Sequence, residues 1–144
     1  MAVVLSSRWA TYEIAWRDAN DETVTPFSDT LGRSGAMARQ AVTKMRIVQD
    51  TGWPQALHQL KDQYGKPWIV RKDDVIWLLK CKPSCWRLYF YVNKTSKEKR
   101  LIYVHAVCKK KDRENPSDAS AARRLADQIR SGASAITPFE FPTG

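Results

Sequence analysis

Residues 85–111 read CWRLYFYVNKTSKEKRLIYVHAVCKKK. Within 87–92, the apolar Leu88, Phe90 and Val92 alternate with Arg87, Tyr89 and Tyr91. Period-two alternation puts the two sets on opposite faces of a strand. One face suits a core, and the other carries a cation and two phenols. Residues 101–107 are apolar almost throughout except His105, as in a strand covered on both faces. A lysine-rich turn joins the two strands, and Lys109, Lys110 and Lys111 follow the second. An arginine, two tyrosines, a histidine and a basic cluster therefore converge on one sheet.

Outward from this pair, 75–80 is apolar up to Lys80, and Lys82-Pro83-Ser84 is a tight connection. The spacing predicts a hairpin of 75–80 with 87–92, and so a three-stranded antiparallel meander. Residues 9–16, anchored by Trp9, Ile14 and Trp16, read as a further strand that joins it. Thr23 to Phe27 reads as a short returning strand, ended by Pro26 and Ser28-Asp29.

Two helices are predicted between these strands. In the first, which runs to about Asp50, Met37, Ala38, Ala41, Val42, Met45 and Val48 recur at three- and four-residue spacing, with Gly52 as terminator. The second starts at Pro54, presents Leu57, Leu60 and Tyr64, and stops at Gly65. A last helix opens at Asn115-Pro116-Ser117-Asp118. Asn115 is suited to cap it, Pro116 to fill its first turn, and Asp118 to favour its positive end. Ala119, Ala122, Leu125, Ala126 and Ile129 form its apolar stripe. The expected fold is α+β: a small antiparallel sheet packed by two helices from the N-terminal half and one C-terminal helix. Residues 1–130 read as one domain with an extended N-terminal strand region, and 131–144 as a C-terminal tail with Phe139 and Phe141 as docking anchors.

The totals narrow the function. With 43% hydrophobic residues in a chain of 144, the protein is expected to bury a core rather than stay disordered. The apolar runs are too short to cross a bilayer and the N-terminus lacks a basic region before a long apolar segment, so a cytoplasmic protein is expected. A net charge of +9 favours an anionic partner, nucleic acid first. Three cysteines without an export signal predict reduced thiols rather than a disulfide framework. Cys81, Cys85, His105 and Cys108 form a conceivable zinc set, but strand side chains three apart point to opposite faces. No metal and no other cofactor is expected.

At Arg87-Leu88-Tyr89-Phe90-Tyr91 and at Ile102-Tyr103-Val104-His105-Ala106-Val107-Cys108-Lys109-Lys110, followed by Pro116 and an Ala-rich helix, the chain resembles the HigB-like, phage-derived branch of the RelE toxin superfamily. The resemblance covers about residues 52–130. It implies helices packed on an antiparallel sheet and a metal-independent endoribonuclease that cuts messenger RNA on the ribosome. It also implies a cognate antitoxin, of helix-turn-helix type, as partner. Val107 stands where the family has Phe, the first 50 residues are longer and more aromatic, and no catalytic residue of the tail is matched.

A metal-free ribonuclease needs a base for the ribose 2′-hydroxyl, cations on the phosphate and an acid for the leaving oxygen. Arg87 suits bidentate phosphate binding. Lys80 adds a charge or serves as base, His105 titrates in the useful range, and Tyr89 or Tyr91 donates a proton or stacks on a base. Lys109, Lys110, Lys111 and Arg113 are the expected RNA-binding residues. Each also has a structural reading: Arg87 in an ion pair, the tyrosines in packing, the lysines on a solvated turn. On its strand alone, His105 reads as an interior histidine. The second functional reading is a catalytically silent binding module that holds RNA or a host protein.

Overall fold

The computed structural model describes residues 9–32, 36–94, 98–109 and 115–142. Along the chain run β1 (Trp9–Arg17), β2 (Thr23–Val24), α1 (Pro26–Leu31), α2 (Ala36–Thr51), α3 (Gln55–Gln59), β3 (Ile69–Arg71), β4 (Trp77–Lys80), β5 (Trp86–Asn93), β6 (Lys99–Cys108), α4 (Pro116–Arg130) and β7 (Ala135–Pro138).

The sheet is larger than the expected one and mixed. Among the described residues seven strands form it, in the order β2-β1-β6-β5-β4-β3, with β7 on β1. Strands β3 to β6 pair antiparallel, but β1 lies parallel to β6 through Trp9↔Lys99 to Glu13↔Tyr103. This corrects the small antiparallel sheet. Period-two alternation reports which face a side chain takes, but not which strand lies alongside or in which direction.

The helices depart from expectation as well. Pro26 opens α1 instead of only ending a strand, because a first-turn position needs no N–H. The helix expected to reach Gly65 stops at Gln59. Beyond it the Asp62 carboxylate accepts from the amides of Tyr64 and Lys66, at 2.8 and 2.9 Å, and so closes a turn in place of a helical one. Four helices therefore stand among the described residues where three were expected. The last one follows the predicted chemistry: the Asn115 side chain accepts from the Ser117 amide at 3.0 Å and Pro116 fills the first turn.

The alternation in β5 is realised as two cores. Leu88 and Phe90 belong to one, with Leu79, Leu101, Tyr103 and Ala38, Ala41, Val42, Met45 and Val48 of α2. Tyr89 and Tyr91 belong to the other, with Leu78, Ile102, Val104 and Ala122 and Ala126 of α4. The small alanines let α4 lie close on the sheet. The face that carries the cation and two phenols is thus covered as well. Tyr89 is 1% and Tyr91 5% exposed. On the opposite face Tyr103 packs between Phe27 and Phe90, at ring distances of 5.3 and 5.0 Å.

The tail returns to the sheet. Strand β7 pairs antiparallel with β1, and the buried Phe139 packs on Phe27. Gly52 ends α2 at a φ of +84°, where a Cβ would come within 3.2 Å of the Trp9 ring. Only glycine satisfies both the conformation and the space.

Candidate functional site

The site is built at the end of the sheet where β4 finishes, β5 begins and β6 ends, on the face covered by α4. Lys80 stands opposite Arg87 in the β4–β5 register. Across β5–β6, Arg87 is opposite Val107 and Tyr89 opposite His105. Directly opposite residues keep their Cβ atoms about 5 Å apart. The ordered register therefore gathers Lys80, Arg87, Tyr89 and His105.

A β-bulge aims the histidine. The pairing passes from Phe90↔Tyr103 to Tyr89↔His105, so Val104 is the extra residue on β6. Without it, strict alternation would carry His105 to the opposite face with Tyr103. The bulge keeps both Val104 and His105 on the α4 side. The histidine reading is sharpened accordingly: the ring is half-buried, 5.7 Å from the Tyr89 ring, and its Nε2 is 3.2 Å from Asp118 Oδ1.

Asp118 is the residue that the sequence assigned only to the helix end. Its other oxygen, Oδ2, lies 2.8 Å from Lys109 Nζ. One carboxylate on the first turn of α4 therefore holds both the histidine and the first lysine of the basic cluster. The signal was available in outline: a histidine near the end of a strand, followed by an acid at the start of the next helix. Burial pushes the Asp118 carboxyl up, but its hydrogen bonds with Lys109 and His105 outweigh that and hold it below the usual carboxylate range. An ionised carboxylate only accepts, so the imidazole proton sits on Nε2. In the neutral ring, Nδ1 then carries the lone pair.

The remaining predicted residues divide. Arg87 is 7% exposed, and its Nη1 donates to the Ser84 and Trp86 carbonyls at 3.2 and 3.0 Å. Burial pushes the Tyr89 phenol up to about 12, with Asp118 adding to the shift and Arg87 opposing it. A phenol so placed donates protons poorly and packs well. Tyr91 is two residues further along β5, about 7 Å away, and belongs to a different part of the face. Lys110, Lys111 and Arg113 lie outside the described residues.

The cysteines correct another expectation. Cys85 and Cys108 form a disulfide with a Cα–Cα distance of 4.8 Å, and Cys81 is a buried thiol. The reason lies in the register: Trp86 stands opposite Cys108, which brings the neighbouring Cys85 within bridging range. The backbone of the same strand end is tied too, as the Lys109 amide donates to the Cys85 carbonyl at 2.8 Å. With two thiols joined and Cys81 in the opposite core, the four candidate zinc ligands do not converge.

No protein-family model, no curated protein and no solved structure matches this chain.

The Asp118 contacts carry a direct test. Asp118→Asn is expected to cost about 1 kcal/mol at neutral pH, a modest value because solvent screens the pair. Because the folded-state pKa is lowered, this stabilisation is complete above the ordinary carboxylate range. It is lost as the pH falls through the folded-state value. Urea melts of both proteins at neutral and acid pH should show the difference at the former and its disappearance at the latter.

Proposed function

We propose that this chain is a metal-independent endoribonuclease, a toxin-type enzyme that cuts messenger RNA on the ribosome and is held in check by an antitoxin. The observation that supports the chemistry most is the His105–Asp118 pair beside Lys109. The motif resemblance supports the substrate class, and the net charge of +9 supports an RNA partner.

In this reading Asp118 orients the ring, and His105 Nδ1 takes the proton of the ribose 2′-hydroxyl. The 2′-oxygen forms a bond to phosphorus, and the bond to the 5′-oxygen breaks. A 2′,3′-cyclic phosphate and a 5′-hydroxyl end result. Lys80, Lys109 and Arg87 supply positive charge at the phosphate as it accumulates negative charge. The His105 imidazolium or a lysine ammonium returns a proton to the leaving oxygen. Tyr89 and Tyr91 have structural roles here, as their burial supports. Purified protein added to a translation extract with a chelator present is expected to yield cut messenger RNA with those ends. Intact RNA, together with normal growth of cells that express the protein, would sink the proposal.

A second reading is favoured by Arg87, whose guanidinium is nearly covered and rests on two carbonyls. That is a packing arrangement as much as a phosphate fork, and it fits a catalytically silent module that binds RNA. Retention of RNA on the protein with no cut product would select it.

A further inference from the structure

The α4 face of the sheet has a second polar feature, at the opposite end of β5. Its floor residue Tyr91 lies four residues along that strand from Arg87, about 13 Å away. There the last turn of α4, strand β7 and the turn before β4 stand apart and leave a cleft of about 630 Å³. That volume falls within the roughly 300–1,000 Å³ of small-molecule sites.

The lining is sorted by chemistry. Tyr91, Ile102, Ile129 and Ile136 give it an apolar floor and wall. Arg100, Arg130 and Lys94 line it as well. Asp74 is the one carboxylate among the lining residues, and it already lies 2.6 Å from Arg123. Two of the three cations are less committed. Lys94 makes no ion pair among the described residues. Arg130 has only the exposed Asp127 at 3.6 Å, an arrangement of little energetic weight. Arg100 is more engaged: its Nη2 lies 2.9 Å from Glu98 and its guanidinium lies 4.8 Å over the Tyr12 ring, so it brings a positioned and partly neutralised charge. Both guanidiniums act on the Tyr91 phenol, which burial pushes up and they pull down, so all three groups share one small space. Sequence distance hid this arrangement: its residues come from β5, β6, α4 and β7.

We propose that this cleft binds a small organic anion of nucleotide size, with its phosphate or carboxylate on Arg100 and Arg130 and its ring or apolar body on the Tyr91–Ile102 floor. Excess positive charge beside an apolar floor selects a ligand that has both parts. Inorganic phosphate lacks the body, and a neutral nucleoside lacks the charge. The site is separate from the His105 end, and the proposal does not depend on cleavage there.

The test uses the full chain with adenosine 5′-monophosphate, adenosine and inorganic phosphate as probes, followed by calorimetry and by amide NMR shifts. Saturable binding of the monophosphate is expected, with shifts at Ile102 and Ile129 and with weaker binding of the other two. Arg130→Gln, at an exposed side chain, should weaken it by about tenfold, the loss of one charge-assisted hydrogen bond. Arg39→Gln, on the helix over the opposite face, removes the same charge and should change little. His105→Ala should leave the affinity intact. The proposal is overturned if no saturable binding occurs or if phosphate alone binds as well as the monophosphate. It also fails if Arg39→Gln weakens binding as much as Arg130→Gln, or if His105→Ala rather than Arg130→Gln abolishes it.

Discussion

His105→Ala is expected to lower RNA cleavage by at least about 100-fold, the low end of what a positioned general base contributes. The expectation follows from geometry. The ring is held by Asp118 through Nε2 at 3.2 Å, so Nδ1 is the nitrogen left for chemistry. Removal of the ring leaves Asp118 with its Lys109 contact at 2.8 Å, so the helix end keeps one of its two ties to the strand. Circular dichroism and melting should therefore change far less than the rate. One further readout separates a base from a packing residue. Asp118→Asn should reduce the rate by a smaller factor than His105→Ala, because it misorients the base without deleting it. A variant that cuts at the wild-type rate would remove His105 from the mechanism.

Loss of the Cys85–Cys108 disulfide is expected to have the largest effect on stability. The bridge closes a loop of 23 residues. In the chain-entropy account, the release of such a loop in the unfolded state costs about 3 kcal/mol. For a chain of this length that corresponds to about 10 °C in the melting temperature. Cys85→Ser with Cys108→Ser, or the wild type under reductant, should show this drop by calorimetry. Thiol titration gives an independent check. The unfolded protein should expose one thiol, Cys81, without reductant and three with it. Three thiols in both cases would refute the bridge. The functional consequence is local, since Cys108 precedes Lys109 and Cys85 lies two residues before Arg87. Two of the three cations of the proposed phosphate site, Lys109 and Arg87, thus sit within two residues of the staple.

Much of the local order was legible. Asn115 and Pro116 announce a helix start because capping is a property of adjacent residues. Leu88 and Phe90 divide from Tyr89 and Tyr91 because alternation on a strand is geometric. The convergence of Lys80, Arg87 and His105 was also partly visible, since a hairpin fixes the register of neighbouring strands. Other features were not. The phenols are buried because α4, distant in sequence, covers their face. The disulfide depends on the pairing of Trp86 with Cys108, which no spacing between cysteines reveals.

The sequence by itself determined the strand pair at 85–111, the two faces of its first strand, the α2 stripe and the capped α4. These depend on neighbours a few residues apart. Only the tertiary structure decided that the sheet is mixed and seven-stranded, that a bulge at Val104 turns His105 toward Asp118, and that Tyr91 meets Arg100 and Arg130 in a cleft. Those features depend on which strand lies beside which and on a one-residue shift in register. A one-residue shift reverses the face of every side chain beyond it, yet leaves the composition and periodicity of each segment unchanged.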